Sequence, residues 1–271
     1  MRIALVSDIH GNRWALDAVL DDIAGRRVDA IWNLGDILSG PLAPAATAEI
    51  LIPLALPTIR GNHERQLLAC GERAGGPSDQ FAFEHTEPHQ RAWLEALPVA
   101  LAPRDDIRMC HGSPRLDVET LLETVEGADQ RPARLAEVED RLGDCRARLI
   151  VCGHTHVARA VRTTDGRTIV NPGSVGLQAY DSEHPAATAA CPLYYVDNGC
   201  PHASYAIIDD RGLPPGGSAA EGRRGLIDKV DRGWDVSFHR VAYDWDAAAQ
   251  VAERNGRPEW AHALRTGFAL R

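Results

Sequence analysis

Five short stretches of the sequence place a polar residue that can bind a metal ion directly after an apolar run. The stretches are VSDIHGN (6–12), NLGDIL (33–38), IRGNHE (59–64), MCHGS (109–113) and VCGHTH (151–156). The polar residues that they supply are Asp8, His10, Asp36, Asn62, His63, His111, His154 and His156. Carboxylate, amide and imidazole groups in this combination suit manganese, iron or zinc better than calcium.

The number of these groups indicates two metal ions. One ion cannot take all eight, whereas two adjacent ions that share a bridging carboxylate can take seven. Two-metal sites, with ions about 3.5–4 Å apart, stabilise the attacking and leaving oxygens of phosphoryl transfer. Each residue taken singly also has a structural interpretation, such as a helix N-cap for Asp8, a turn residue for Asn62 or an ordinary loop histidine for His111. The recurrence of the pattern in five places favours the metal site.

The stretch CGHTH contains two histidines that lie two residues apart. Side chains at this spacing point the same way in an extended chain, so we expect His154 and His156 to project together. This spacing is weak support for a metal site by itself, because histidine is also a common polar loop residue. The polar residues of the other four stretches strengthen the interpretation of CGHTH as part of a metal site.

Elements of an α/β fold must bring these residues together. Apolar runs predict a strand at 2–7 and units of a strand followed by a turn at 30–36 and 57–62, and amphipathic patterns predict helices at 13–25 and near 44–52. Strands that alternate with helices in this way form parallel sheets, and ligands of such sheets bind beyond the carboxyl ends of the strands. Because each polar residue lies where a strand should end, we expect them to converge on one crevice.

The second half of the sequence is richer in strands. Extended patterns cover 107–112, 148–154, 158–174, 203–212 and 234–244, and the third of these contains an Asp-Gly hairpin turn. Helical patterns lie near 131–142 and from about 245 to 266. We find neither an internal repeat nor a low-complexity linker, so residues 1–271 are expected to form a single domain.

The composition argues against several classes of function. The net charge is −9 and Lys229 is the only lysine, whereas nucleic-acid surfaces need clustered Lys and Arg. A phosphate-binding P-loop needs a Gly-Lys pair, which the sequence lacks. No apolar run approaches the ~18 residues of a membrane span, so we expect a cytoplasmic protein without membrane contact. The six cysteines form no CxxC pair and are expected to be reduced thiols.

The order of the motifs resembles that of the calcineurin-like metallophosphoesterase superfamily. D-x-H, G-D, G-N-H-E, a lone H-G and G-H-x-H follow one another between residues 8 and 156. SDIHGN near the N-terminus and NPGSVG (171–176) are most similar to the small bacterial and archaeal phosphodiesterase branch. The resemblance implies a four-layer α/β/β/α sandwich with a dinuclear metal site at the carboxyl ends of the strands.

The resemblance also implies a role for each ligand. Carried over by motif position, the ligands form one set of three for each ion and a single bridging residue: Asp8, His10 and His156; Asn62, His111 and His154; and Asp36. It further implies that a hydroxide bridging the two ions attacks the phosphorus of the substrate. The ions are expected to be two divalent or trivalent transition metals: Mn, Fe or Zn.

Two further residues of the IRGNHE stretch are expected to act on the substrate. His63 matches a family histidine that lies over the phosphate without binding metal, where it protonates the leaving oxygen or stabilises charge in the transition state. Arg60 is similar to an arginine of the protein-phosphatase branch that holds a phosphate oxygen. A guanidinium can do so with two hydrogen bonds, although a solvated arginine at a strand end is an equally good interpretation.

These residues favour a metal-dependent phosphodiesterase acting on a small phosphate-ester substrate. The alternative is a nucleoside-polyphosphate or protein phosphatase, which IRGNHE favours. A non-catalytic scaffold is a third hypothesis, because the retromer subunit that shares the fold has lost catalytic groups. The complete set of ligands and His63 counts against it. Whether the protein is a homo-oligomer stays open.

Residues 178–202 are an expected insertion in the domain, between NPGSVGL and the strand at 203–212. The segment contains Tyr180, Tyr194 and Tyr195 and follows a loop that the resemblance places near the metals. The tyrosines could therefore orient a base or an aryl group of a substrate. A surface excursion or a dimer contact is the alternative interpretation.

Overall fold

The computed structural model describes residues 1–70, 75–182, 193–210 and 234–271. The strands are β1 (Arg2–Val6), β2 (Ala30–Asn33), β3 (Ile107–Met109), β4 (Glu123–Glu126), β5 (Asp129–Pro132), β6 (Leu149–Val151), β7 (Arg159–Arg162), β8 (Thr168–Asn171), β9 (Ala179–Asp181), β10 (Tyr195–Asp197), β11 (Ala203–Asp209) and β12 (Asp235–Val241). The helices are α1 (Arg13–Ala24), α2 (Pro44–Leu54), α3 (Asn62–Ala69), α4 (Pro77–Glu84), α5 (Pro88–Ala96), α6 (Leu135–Leu142), α7 (Trp245–Arg254) and α8 (Pro258–Thr266).

Two four-stranded sheets form the centre of the molecule. The first has the order β12-β11-β1-β2, with β1 and β2 parallel. The second has the order β3-β6-β8-β7, with β3, β6 and β8 parallel. Two short hairpins, β4-β5 and β9-β10, lie outside these sheets. The parallel strands of both sheets carry the loops in which the predicted ligands lie.

Alternating side chains of each strand fill two different cores. In β1, Ile3 and Leu5 belong to the core shared with the second sheet, whereas Ala4 and Val6 belong to the core shared with α1. This is the period of two that a strand buried on both faces imposes. The core between the sheets also contains Trp32, Leu34, Ile107, Met109, Leu149, Val151, Val170, Ala206 and Ile208.

The outer face of the second sheet is covered by α6. Ile150 and Ile169 pack there against Val138 and Leu142 of the helix. Helix, sheet, sheet and helix therefore follow one another as layers, which confirms the predicted α/β/β/α sandwich. Among the described residues, no helix combines the length and the apolar character that crossing a bilayer requires.

Residues 57–62, predicted as a strand followed by a turn, make one isolated parallel bridge, between Thr58 and Asn33. Pro57 has no N–H to donate, and helix α3 begins at Asn62 with Gly61 as its N-cap. The chain therefore runs beside β2 just long enough to bring Asn62 to the sheet edge. The predicted strand is reduced to this one bridge, and the residues after it lead into α3.

Two predicted helices have other bounds in the structure. The helix near 131–142 begins at Leu135, because 129–132 pairs with β4 in a hairpin whose turn includes Gly127 at φ 65°. The closing helix at 245–266 is two helices, since Gly256 has φ 75° and Pro258 starts α8. Helices α4 and α5 were not predicted, although each starts with a proline in the favoured N1 position.

Candidate metal centre

The loops after the parallel strands bring the predicted ligands into two neighbouring groups. One group is Asp8, His10 and His156; the other is Asp36, His111 and His154. Within each group one ligand atom per residue lies within 4.8 Å of those of the other two. All of these residues are buried except His154, which is partly buried. Six residues that are distant in sequence therefore present two compact sets of donor atoms.

The backbone of these loops is strained where the ligands lie. Seven described non-glycine residues have positive φ, and five of them belong to the two groups: Asp8 (54°), His10 (52°), Asp36 (54°), His154 (71°) and His156 (59°). A left-handed conformation at a non-glycine residue costs on the order of 1–3 kcal/mol, and such strain concentrates at functional sites. CGHTH is thus not extended, and its two histidines turn to different groups.

Three of the histidines are held in one tautomer by backbone carbonyls. Nδ1 of His10 donates to Ser39 O at 2.7 Å, Nδ1 of His111 to Leu34 O at 2.7 Å, and Nδ1 of His156 to Leu177 O at 2.8 Å. When Nδ1 carries the proton of a neutral imidazole, Nε2 is left as a bare lone pair. Metal-binding histidines are commonly oriented in this way by a partner of the second ring nitrogen.

The bare nitrogens of the first group face one another. Nε2 of His10 lies 3.1 Å from Nε2 of His156, and Asp8 Oδ1 lies 3.3 Å from the latter. Two neutral imidazoles cannot hydrogen-bond through two lone pairs, so a cation must lie between them or a proton must be added. Burial lowers the pKa of His10 to about 3, so a proton is not readily taken there near neutral pH. The geometry therefore fits a metal ion.

The second group has the same character. Asn62 Oδ1 is buried without a partner, and Asn62 Nδ2 donates to Gln66 Oε1 at 3.2 Å, which fixes the amide with its oxygen free. Nε2 of His111 lies 2.9 Å from Asp36 Oδ2. Burial acts to lower the pKa of His111, but the charges of Asp36 and Asp8 raise it to about 9, so a cation that binds here displaces a proton. Burial lowers the pKa of His154 to about 4, so its ring is neutral, as metal binding requires.

Asp8 and Asp36 are ionised in their buried positions. Burial acts to raise the pKa of both carboxyl groups, but His156 beside Asp8 and His111 beside Asp36 outweigh it and hold both below the ordinary value. Asp8 Oδ2 is buried without a hydrogen-bond partner. Two buried carboxylates with bare imidazole nitrogens and an orphaned amide oxygen form a donor set that fits a pair of cations.

Glu64 holds the loops of Asp36 and Asn62 together. Its carboxylate accepts hydrogen bonds from the backbone N–H groups of Asp36 at 2.8 Å, Ile37 at 2.7 Å and Gly61 at 2.8 Å. Gly61 is needed at this junction, since a Cβ there would lie 2.1 Å from Asp36 Oδ1. The sequence analysis assigned no role to Glu64, although its position three residues after Gly61 is typical of a helix-capping glutamate.

His63 lies at the edge of the first group, beside the cavity. Its ring centroid is 5.3 Å from that of His10, and its Nδ1 lies 2.8 Å from Asp79 Oδ1. Burial acts to lower the pKa of His63, but the charge of Asp36 and the bond to Asp79 raise it to about 10. His63 is therefore a proton donor near neutral pH. Asp79 was missed by the sequence analysis, because α4 was not predicted.

Arg60 lies two residues before Asn62, and its backbone N–H donates to Pro98 O at 2.8 Å. Its Nε is buried without a hydrogen-bond partner, and its side chain is not among those that line the cavity above the ligands. The structure thus does not bring Arg60 to the place where we expect the substrate. Its predicted role in phosphate binding stays a prediction.

A cavity of about 760 Å³ lies above the two groups. His10, Asp36, Asn62, His154 and His156 contribute to its floor, and His63 lies beside them.

Two of the three tyrosines of the expected insertion line this cavity. Tyr180 and Tyr194 line it, with Tyr180 4.5 Å from the ring of His156. Tyr195 does not; the guanidinium of Arg271 lies 4.9 Å from its ring. Residues 183–192 of the insertion lie outside the described residues.

Known proteins share this motif order and this fold. The family described as the calcineurin-like phosphoesterase superfamily domain matches residues 1–191. The chain belongs to this superfamily. Its members are hydrolases of phosphate esters that use divalent metal ions, and the two groups described above are candidate sites for such ions.

Two relatives cover almost the whole chain of this calcineurin-like phosphoesterase. A metallophosphoesterase from Sphaerobacter thermophilus of known crystal structure is 27% identical, with a TM-score of 0.68 over 98% of this chain and 100% of that one. An uncharacterised protein of Methanocaldococcus jannaschii is 24% identical over 268 residues, covering 95% of this chain and 94% of that protein. The similarity thus extends beyond residue 191, into the C-terminal helices.

Proposed function

We propose that this calcineurin-like phosphoesterase is a phosphodiesterase with two metal ions. Asp8, His10 and His156 would bind one ion; Asn62, His111 and His154 would bind the other; and Asp36 would bridge them. The observation that carries the proposal is the 3.1 Å approach of the bare Nε2 atoms of His10 and His156. The buried, unpartnered oxygens of Asp8 and Asn62 support it from both groups.

The bound ions would supply a Lewis-acidic centre that activates water and neutralises charge on the phosphate. The residues of the chain do the rest. His63, hydrogen-bonded through Nδ1 to Asp79, is placed to give a proton to the leaving oxygen. The complete ligand set also argues against a scaffold without activity.

The charge of the cavity supports diesters over monoesters. Among the described residues that line it, Arg141 is the only arginine or lysine. Its guanidinium donates to Leu121 O, Glu123 O and Thr124 Oγ1. A monoester carries close to two negative charges at neutral pH, and a diester carries one. Among the described lining residues no guanidinium is uncommitted, which favours the diester.

The first experiment measures turnover of bis-p-nitrophenyl phosphate and p-nitrophenyl phosphate with added Mn²⁺. We expect turnover of the diester to exceed that of the monoester by at least about tenfold, and chelation to abolish both. Readdition of Mn²⁺ should restore activity, because the ligands remain in place. Activity that survives exhaustive chelation would contradict the metal mechanism, and a preference for the monoester would contradict the diester assignment.

Asp79 provides a second prediction, as the residue that positions His63. We expect Asp79→Asn to lower kcat by about 10- to 100-fold without changing metal content, because a neutral amide stabilises the protonated imidazole less well. The basic limb of the pH–rate profile should move to lower pH, since a weaker partner lowers the pKa of His63. A merely structural role would leave that limb where it is. Asp181→Asn, which removes another carboxylate of the cavity wall, is the matched control for that limb.

A single domain over 1–271 with an insertion at 178–202 and a cytoplasmic location stay predictions, and the oligomeric state stays open. Of the cysteines, Cys70, Cys110, Cys145, Cys152 and Cys200 are free thiols in the structure. Cys191 lies outside the described residues.

A further inference from the structure

One wall of the cavity is aromatic and apolar, and it comes from parts of the chain that contribute no ligand. Trp260 and Ala263 of α8, Tyr180 of β9 and Tyr194 contribute to it. Leu177, Ala179, Ala269 and Leu270 extend the same wall. None of these eight side chains carries a charge or an amide group; their polar atoms are the hydroxyls of Tyr180 and Tyr194 and the indole N–H of Trp260. This wall is suited to a flat organic group rather than to a phosphate.

The aromatic wall begins at the metal ligands themselves. The ring of Trp260 lies 6.0 Å from that of His10, and the ring of Tyr180 lies 4.5 Å from that of His156. Tyr194 continues the row, with its ring 6.3 Å from that of Tyr180. A phosphate held over the first ligand group would therefore direct one of its ester groups along these rings.

The polar part of the cavity carries an excess of carboxylates. Outside the ligand groups, the described lining residues include Asp79, Glu119, Asp181 and Glu259, and one arginine, Arg141. Asp79 pairs with His63, Glu119 with Arg115 and Glu259 with Arg257. Burial and the nearby charge of Glu259 raise the pKa of Asp181, which indicates that these two carboxylates are neighbours. A second phosphate beside Asp181 would meet like charge, and such contacts are unfavourable.

We infer that the substrate is a diester with a single phosphate, whose second ester group is a flat, uncharged ring stacked against Tyr180, Tyr194 and Trp260. This inference rests on the proposed function and names its substrate class. It disfavours nucleoside polyphosphates, because an additional phosphate beside Asp181 would meet like charge. The carboxylates can instead accept hydrogen bonds from hydroxyl groups on the organic part.

The test compares binding of diphenyl phosphate and dimethyl phosphate to the Mn²⁺-loaded protein by titration calorimetry. We expect diphenyl phosphate to bind at least about tenfold more tightly. Tyr194→Leu should reduce that preference by about 3- to 10-fold, because it keeps an apolar side chain but removes the ring. The matched control is Tyr195→Leu in the same hairpin, since Tyr195 lies against Arg271 and outside the cavity.

Kinetics then separate this inference from the function on which it rests. The ratio of kcat/KM for phenyl p-nitrophenyl phosphate to that for methyl p-nitrophenyl phosphate should fall in Tyr194→Leu and stay constant in Tyr195→Leu. Intrinsic reactivity cancels when this ratio is compared between variants. ATP should be hydrolysed at least about 100-fold less efficiently than the phenyl ester, and Asp181→Asn should narrow that gap.

Equal affinity for diphenyl phosphate and dimethyl phosphate, or an unchanged kcat/KM ratio in Tyr194→Leu, would overturn the inference that this wall binds a ring. The proposed phosphodiesterase activity would be unaffected. ATP hydrolysed as well as the phenyl ester would overturn the inference that polyphosphates are disfavoured. No turnover of either p-nitrophenyl ester by the metal-loaded protein would overturn the proposed function, and the assignment of a substrate class would fall with it.

Discussion

Asp36→Asn is expected to remove nearly all phosphodiesterase activity, by at least about 100-fold, and to lower the metal content of the purified protein. Substitution of residues that merely orient metal ligands costs about 10- to 100-fold, so loss of the shared ligand should cost no less. A neutral amide bridges two cations poorly, and its NH₂ group would replace an oxygen acceptor. The variant is isosteric, so loss of packing does not explain the effect.

The geometry at Asp36 strengthens this expectation. Its Oδ1 accepts from the backbone N–H of His63 at 3.0 Å, and its Oδ2 lies 2.9 Å from Nε2 of His111. Removing the charge of Asp36 therefore also weakens its contacts with His63 and with His111, which would bind the second ion.

Metal analysis by mass spectrometry, on protein prepared with excess Mn²⁺, checks the prediction independently of turnover. Wild type should bind close to two equivalents, and Asp36→Asn clearly fewer. Asp17→Asn is the matched control, because Asp17 is half-exposed and pairs with Arg13 on the surface of α1. Full activity with at most one bound equivalent would sink the two-metal proposal.

His63→Ala is expected to lower kcat by about 10²- to 10⁴-fold, with metal content unchanged. His63 contributes no atom to either ligand group, yet lies beside the cavity with a protonated ring. The loss should therefore fall on the chemical step and not on assembly of the centre. His85→Ala is the matched control, because His85 stacks on Phe81 and does not line the cavity.

A series of diesters with different leaving groups tests the role assigned to His63. If His63 protonates the leaving oxygen, the loss in His63→Ala should be small for an acidic phenol and large for a simple alcohol. A very acidic leaving group departs without help from a general acid. Equal losses across the series would show that His63 positions the phosphate or stabilises its charge instead.

The sequence by itself determined where the strands of the two central sheets lie along the chain and which donor residues follow them. A strand that is buried on both faces needs a continuous run of apolar residues, as in β1 and β6. Such a run is a local pattern that can be recognised in the sequence. The donors at the strand ends are visible for the same reason, since Asp8, Asp36 and His111 each follow such a run within a few residues. A resemblance of motif order then assigned the superfamily and the four-layer fold, both of which the structure and the comparisons confirm.

Only the tertiary structure decided how those donors are held. The Nδ1 atoms of His10, His111 and His156 donate to the backbone carbonyls of Ser39, Leu34 and Leu177. Every residue has such a carbonyl, so the sequence does not show which one a histidine will contact. The left-handed backbone at His154 and His156 cannot be predicted from the sequence either, because histidine disfavours this conformation and the surrounding packing imposes it.

The surroundings of the metal centre depend on contacts between distant segments. Asp79 reaches His63 from a helix that the sequence did not predict, and Trp260 reaches His10 across 250 residues of chain. Conversely, Arg60 adjoins the motif in sequence but not the cavity in space. Periodicity and spacing show which residues share a helix or a strand. The lining of the substrate cavity depends instead on which helices and strands pack against one another, and that packing is decided only in the folded chain.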